Sequence, residues 1–191
     1  MPVLPLLHAD RDGAGRRDPL FGHPERGDPF HVQVGLMVAA AAVMLDQATK
    51  HIAEELLTPG RMVPLLSNEI GWQLTYNPGG AFGFPAPSWI FLVVTVVVTV
   101  FAIYNLPRST SAFQATAWGL LLAGALGNAL DRVFRPGGPD DPRYLNGEVV
   151  DFVAWGSFPR FNVADMAITI GFVLLVVSFW LDDLEDADEE P

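Results

Sequence analysis

Two aspartates in the stretch VVDFVAWGSFPRFNVADMAITIG, residues 149–171, are the side chains most suited to chemistry. Asp151 lies among apolar neighbours, and Asp165 stands at the mouth of a run, 166–181, that carries no charge. A carboxylate beside a hydrocarbon layer is costly and tends to be retained for work. Two such groups close together cannot easily both ionise, so the pair shares a proton. The ionised member can then activate water while the protonated one polarises a carbonyl and later protonates a leaving amine. The chemistry suggested is two-carboxylate hydrolysis at a membrane interface.

Other hydrolytic arrangements are poorly supported. The chain has no GxSxG, no HExxH and no cysteine, and none of its four histidines has metal-ligand spacing with another. The only lysine, Lys50, has Asp46 as an i,i+4 partner and is a poor candidate for a serine–lysine dyad. No metal and no cofactor are expected.

The elements that must position these acids are membrane helices. Half of the 191 residues are apolar and they come in long blocks, which points to one integral membrane domain. Net charge is -11, but residues 182–191 hold seven acids and no base, so the acidity is mostly a property of that tail. No basic surface suggests a nucleic-acid partner.

The reading is an all-α integral membrane protein with spans near 34–56, 88–105, 112–133 and 162–181 inside a domain 32–181. Residues 1–31, rich in proline and arginine, are expected to be a disordered extension, and 182–191 an acidic disordered tail. Within 57–88, Trp72, Leu74 and Tyr76 alternate with polar neighbours, which suggests a small β element at the headgroup level. It ends in NPGGAFG, 77–83, where glycines permit close backbone approach. In the third span Gly119, Ala123 and Gly127 recur every four residues as a packing stripe, and the next step of four reaches Asp131. Asp131 should therefore face the bundle.

Four spans bring the 57–88 and 134–161 loops to one face of the membrane. Asp46 and Lys50 of span one, Asn77 of the first loop and Asn128, Asp131 and Arg132 of span three fall at that face. So do Asp151 and, at the start of span four, Asn162 and Asp165. Arg132 can neutralise one acid, most simply Asp131 or a neighbour, without neutralising all of them. Lys50 and Arg132 are two bases against Asp46, Asp131, Asp151 and Asp165, which leaves two acids over. A proton- or ion-coupled transporter would also carry intramembrane acids, but at several depths, and a non-catalytic scaffold would pair them structurally.

Five blocks carry a family resemblance: DQATK at 46–50, NPGGAFG at 77–83, GNALDR at 127–132, VVDF at 149–152 and FNVAD at 161–165. In this order and at these places the sequence resembles the lipoprotein signal peptidases, the type II signal peptidases of bacteria. The resemblance implies a multi-pass inner-membrane aspartic endopeptidase with cytoplasmic termini, an extracytoplasmic β element and interfacial loop, and an active site near the outer face. Its implied partners are membrane lipid and a prolipoprotein cut just before its diacylglyceryl-cysteine. Inhibition by globomycin and a monomeric state are expected. Asp151 and Asp165 match the family's catalytic dyad. Asp46, Lys50, Asn77, Gly80, Asn128, Asp131, Arg132, Asn162 and Ala164 fall at supporting or substrate-binding positions, and Asp131 is the rival for the first catalytic acid. The connection between Asp151 and Asp165 is short for the family, and Pro78 and Gly80 vary its usual pattern.

Overall fold

The computed structural model describes residues 28–79, 88–135 and 147–189. Four helices, α1 (Pro29–Leu56), α2 (Ser88–Asn105), α3 (Ala112–Phe134) and α4 (Val163–Glu189), carry four strands at one end. The strands are β1 (Val63–Ser67), β2 (Ile70–Asn77), β3 (Val149–Trp155) and β4 (Phe158–Phe161).

Local chemistry sets the helix starts. The Asp28 carboxylate accepts the Phe30 N–H at 2.8 Å, and Pro29 supplies a pre-set φ at the first helical position. Residues 29–31 are therefore helical, a correction to the expected extension, whose first 27 residues lie outside the described ones. Ser111 caps α3 by accepting the Gln114 N–H at 3.1 Å. The second correction is at the other end, where α4 runs on to Glu189 through the segment expected to be a disordered tail. Adding a residue to an existing helix is easy compared with nucleation, and Leu, Ala and Glu are good helix formers.

Among the described residues, three helices are long and apolar enough to cross a membrane: Pro29–Leu56, Ile90–Arg108 and Val163–Leu184. They present side chains such as Met37, Val97, Phe101, Phe172 and Trp180 outward, an apolar belt that suits lipid and not water. The fourth, α3, packs against all three. Its small residues allow this. A Cβ on Gly119 would collide with the Gly35 carbonyl of α1, and one on Gly124 with the Ala164 carbonyl of α4. Ala115, Ala117, Trp118, Leu122 and Ala123 form the helical core with Ala39, Ala102, Leu106 and Leu175.

The β element is larger than the sequence pattern suggests. The four strands form one antiparallel sheet in the order β1-β2-β3-β4. Its centre joins two distant parts of the chain, with Thr75 opposite Asp151, Tyr76 opposite Val150 and Asn77 opposite Val149. The segment expected as a loop leading into span four is thus a hairpin, with Gly156 at φ 50 in its turn. Leu74, Val150, Phe152 and Ala53 make a second, smaller core that seats the sheet on the end of α1.

Candidate active site

The sheet register places Asp151. Asn77 faces Val149 while Asp151 faces Thr75, so Asn77 and Asp151 are diagonal neighbours on one face of the β2–β3 pair. The Asn77 amide donates to Asp151 Oδ2 at 3.1 Å. The other oxygen, Oδ1, accepts from Asn162 Nδ2 at 2.7 Å. Asp151 is 3% exposed, so these amides stand in for most of the water it has lost.

Asp165 is placed by the start of α4. The Asn162 side chain accepts the Asp165 N–H at 3.0 Å, and Asp165 Oδ2 accepts the Asn162 N–H at 3.2 Å. This reciprocal pair is a capping box with aspartate in the third helical position, where the positive end of the helix also favours the carboxylate. The remaining oxygen accepts from Asn128 Nδ2 at 2.9 Å. Asn162 thus touches both acids, one through its side chain and one through its backbone.

Asn128 can present its NH₂ to Asp165 because its oxygen is committed elsewhere. Its Oδ1 accepts from Lys50 Nζ at 3.1 Å and from Asn162 Nδ2 at 3.1 Å. An ammonium can only donate, so it fixes which way the amide points.

Beneath this layer lies a buried ion cluster. Lys50 and Asp46 are both 0% exposed, and Lys50 Nζ lies 2.8 Å from Asp46 Oδ2 and 2.8 Å from Asp131 Oδ2. Arg135 Nε approaches Asp131 Oδ1 at 2.9 Å. Gln47 Nε2 donates to Asp46, to Asp131 and to the Gly127 carbonyl. Glycine is required at 127, because a Cβ there would sit 2.6 Å from Asp46 Oδ2 and 3.0 Å from the Ala164 Cβ. Two acids and two bases balance, which is what makes so dry a cluster tolerable.

The structure therefore brings together Asp46, Lys50, Asn77, Asn128, Asp131, Asp151, Asn162, Ala164 and Asp165; Gly80 lies outside the described residues. Arg132 departs from the simplest of its expected partners and acts on a neighbouring acid, its charge bearing on Asp151 first and then on Asp131 and Asp165. It does not neutralise Asp131, because consecutive helix residues point in different directions, whereas Arg135, one turn on, shares the Asp131 face. Arg132 is buried, with its guanidinium 5.3 Å from the Phe91 ring centroid and its Nε without a hydrogen-bond partner among the described residues. Sequence reasoning missed Gln47, Glu54 and Arg135. The i,i+4 spacings Lys50–Glu54 and Asp131–Arg135 were the available signal.

Asp46 and Asp131 are paired with cations, whereas Asp151 and Asp165 make no ion pair among the described residues. Burial, reinforced by the nearby charge of Asp165, pushes the Asp151 carboxyl up to about 7 against an ordinary 3.8.

This pair of buried acids, which make no ion pair among the described residues, is the setting in which the comparisons with known proteins have meaning. The family model described as signal peptidase (SPase) II matches residues 38–181. The chain belongs to the signal peptidase II family. That family is one of aspartic-type endopeptidases. The lipoprotein signal peptidase of Mycobacterium avium (strain 104) is 38% identical over 155 residues, covering 81% of this chain and 82% of the relative. That of Rhodococcus jostii (strain RHA1) is 38% identical over 177 residues, covering 91% and 87%. A solved bacterial membrane enzyme, determined by the in meso method at 2.3 Å resolution, superposes with a TM-score of 0.70. It is 27% identical, and the match covers 88% of this chain and 98% of that one. Nothing in these likenesses favours the transporter alternative.

Proposed function

We propose that this membrane peptidase removes the signal peptide from bacterial prolipoproteins by cutting before a diacylglyceryl-modified cysteine, with Asp151 and Asp165 as its catalytic pair. The observation that carries the assignment is Asn162, which holds both carboxylates by hydrogen bonds of 2.7 and 3.2 Å, with no cation at ion-pair distance from either among the described residues. Asp131, the rival, is engaged on both oxygens, by Lys50 at 2.8 Å and by Arg135 at 2.9 Å. A carboxylate neutralised in that way is a weak base and has no proton to give.

The division of labour follows from the environments. Asp151 keeps its proton to about pH 7 and serves as the acid that polarises the scissile carbonyl. Asp165, at the positive end of α4, serves as the ionised base that takes a proton from the attacking water. Water adds to the carbonyl carbon, the Asp151 proton passes to the carbonyl oxygen, and a gem-diol forms. Collapse of the diol transfers the proton now on Asp165 to the leaving amine and returns the diol proton to Asp151. Each acid ends in the state in which it began. Asn128 and Asn162 orient the two groups without adding charge.

All four helices cross the membrane in this reading, with α3 shielded from lipid by its neighbours. Both termini are cytoplasmic, the pair lies near the outer face, the enzyme works as a monomer among membrane lipids, and globomycin blocks it. The test is cleavage of a diacylglyceryl-modified lipobox peptide by the purified protein in detergent, with and without globomycin. Cleavage before the lipidated cysteine, blocked by globomycin, is expected. A well-folded protein that leaves the peptide intact would overturn the proposal.

A further inference from the structure

Beyond the residues of the family motifs, a chain of charges runs from the rim of the site to its floor. Glu54 Oε1 accepts from Arg135 Nη1 at 2.6 Å, and Arg135 Nε donates to Asp131 Oδ1 at 2.9 Å. Lys50 joins Asp131 to Asp46, at 2.8 Å from each. Each of the three acids also accepts a hydrogen bond from outside the chain. Asp131 Oδ2 takes the Val150 N–H at 3.3 Å, and Asp46 Oδ1 takes the Ala164 N–H at 2.8 Å. Glu54 Oε1 takes the Tyr76 hydroxyl at 3.4 Å.

The three donors share one property. Val150 directly precedes Asp151, Ala164 directly precedes Asp165, and Tyr76 directly precedes Asn77, the amide that holds Asp151. For the two backbone donors, only one residue's φ and ψ separate the gripped amide from the Cα of the aspartate that follows. Hydrogen bonds to charged acceptors are the strong ones, so a carboxylate held by its own ion pair is a firm point of attachment.

We propose that Glu54 and Arg135 are positioning residues, which act through this ion chain to set the relative placement of Asp151, Asp165 and Asn77. The inference rests on the peptidase reading above. Arg135 supplies the second positive charge that balances Asp46, Lys50 and Asp131, and Glu54 ties it to β2. Both lie at the rim, with side chains 23% and 25% exposed, and Arg135 also carries stability as the charge that balances the buried acids. Their geometric contribution is read in the turnover of the folded protein, apart from any loss of stability.

The test uses the full chain in detergent and the same lipidated peptide. Arg135→Leu is expected to lower kcat about tenfold with KM within about twofold, about the scale expected when catalytic groups are misplaced by a fraction of an ångström. Arg135→Lys keeps the charge but cannot reach both acids, and recovers part of the loss. The exchange Glu54→Arg with Arg135→Glu separates positioning from mere helix pairing. It rebuilds the rim ion pair but turns a carboxylate toward Asp131, so kcat, measured on the folded protein, stays low. Arg108→Leu, which removes an arginine outside the cluster, leaves kcat unchanged. If the exchange restores kcat, or if Arg135→Leu turns over normally, the inference is overturned and the peptidase reading stands. Absence of cleavage by wild type overturns the peptidase reading and the inference with it.

Discussion

Two pairs of aspartates occupy the same end of this molecule and differ in what surrounds them. Asp46 and Asp131 share Lys50 at 2.8 Å each, and Arg135 completes the balance. Asp151 and Asp165 are also largely out of water, but among the described residues they are hydrogen-bonded by amides, those of Asn77, Asn128 and Asn162, and the Arg132 and Lys50 charges act on them from beyond ion-pair distance. The first pair is matched by cations and grips backbone. The second is oriented but not neutralised, so it can exchange protons. In the proposed reading, what separates a structural carboxylate from a reactive one is the partner and not the burial.

The largest expected effect breaks the reactive pair. Asp165→Asn leaves a neutral group that cannot take a proton from water, and kcat should fall about 10³-fold or more, read by cleavage of the lipidated peptide. Because the amide can still accept the Asn162 N–H, the protein should remain folded.

Next in size is an attack on the structural pair. Lys50→Met leaves two buried carboxylates with one cation between them, and should cost about 3–5 kcal/mol, measured by denaturant or thermal unfolding in detergent. An unchanged melting temperature would contradict the division between the two pairs.

A smaller effect sharpens the comparison through pH. The Asp151 carboxyl stands at about 7 instead of 3.8, first because of burial and then because of the Asp165 charge. Its proton is lost as pH rises through about 7, so kcat/KM should fall on the alkaline side with that apparent midpoint. The same shift has a sign for stability. A carboxyl raised on folding stabilises the fold below its unfolded value and loses that contribution as pH rises through its folded value. Wild type should therefore lose stability between about pH 4 and pH 7, measured as melting temperature against pH.

Much of this organisation is legible in the residues. The long apolar blocks give the helices, and the step of four from Gly119 to Asp131 places that acid inside the bundle. Counting Lys50 and Arg132 against four acids leaves two over, but the second base on Asp131 is Arg135, so the count reaches its number through the wrong residue. Which base serves which acid is only half legible. Lys50–Asp46 follows from i,i+4 spacing, but Lys50 also reaches Asp131 of another helix, a contact that no local pattern encodes.

The hairpin β3–β4 is the larger omission. VVDFVAW reads as a buried apolar run with one acid, and periodicity cannot tell a doubly buried strand from a helix entry. Its pairing with β2 joins residues 70–77 to 149–155, across a separation that carries no local signal. That hairpin also explains the short connection between Asp151 and Asp165. A tight turn at Gly156 and a capping box at Asn162 return the chain to the bundle in few residues, and Asn162 then bridges the two acids itself.

Asp151→Asn tests the contrast between the two pairs most directly, with cleavage measured at about pH 6, where wild-type Asp151 keeps its proton, and melting temperature at about pH 8, on the same preparation. The account predicts that cleavage is lost while melting stays at or above the wild-type value, because a buried group that resists ionisation has been replaced by a neutral one. Retained cleavage, or a drop in melting as large as that of Lys50→Met, would contradict it.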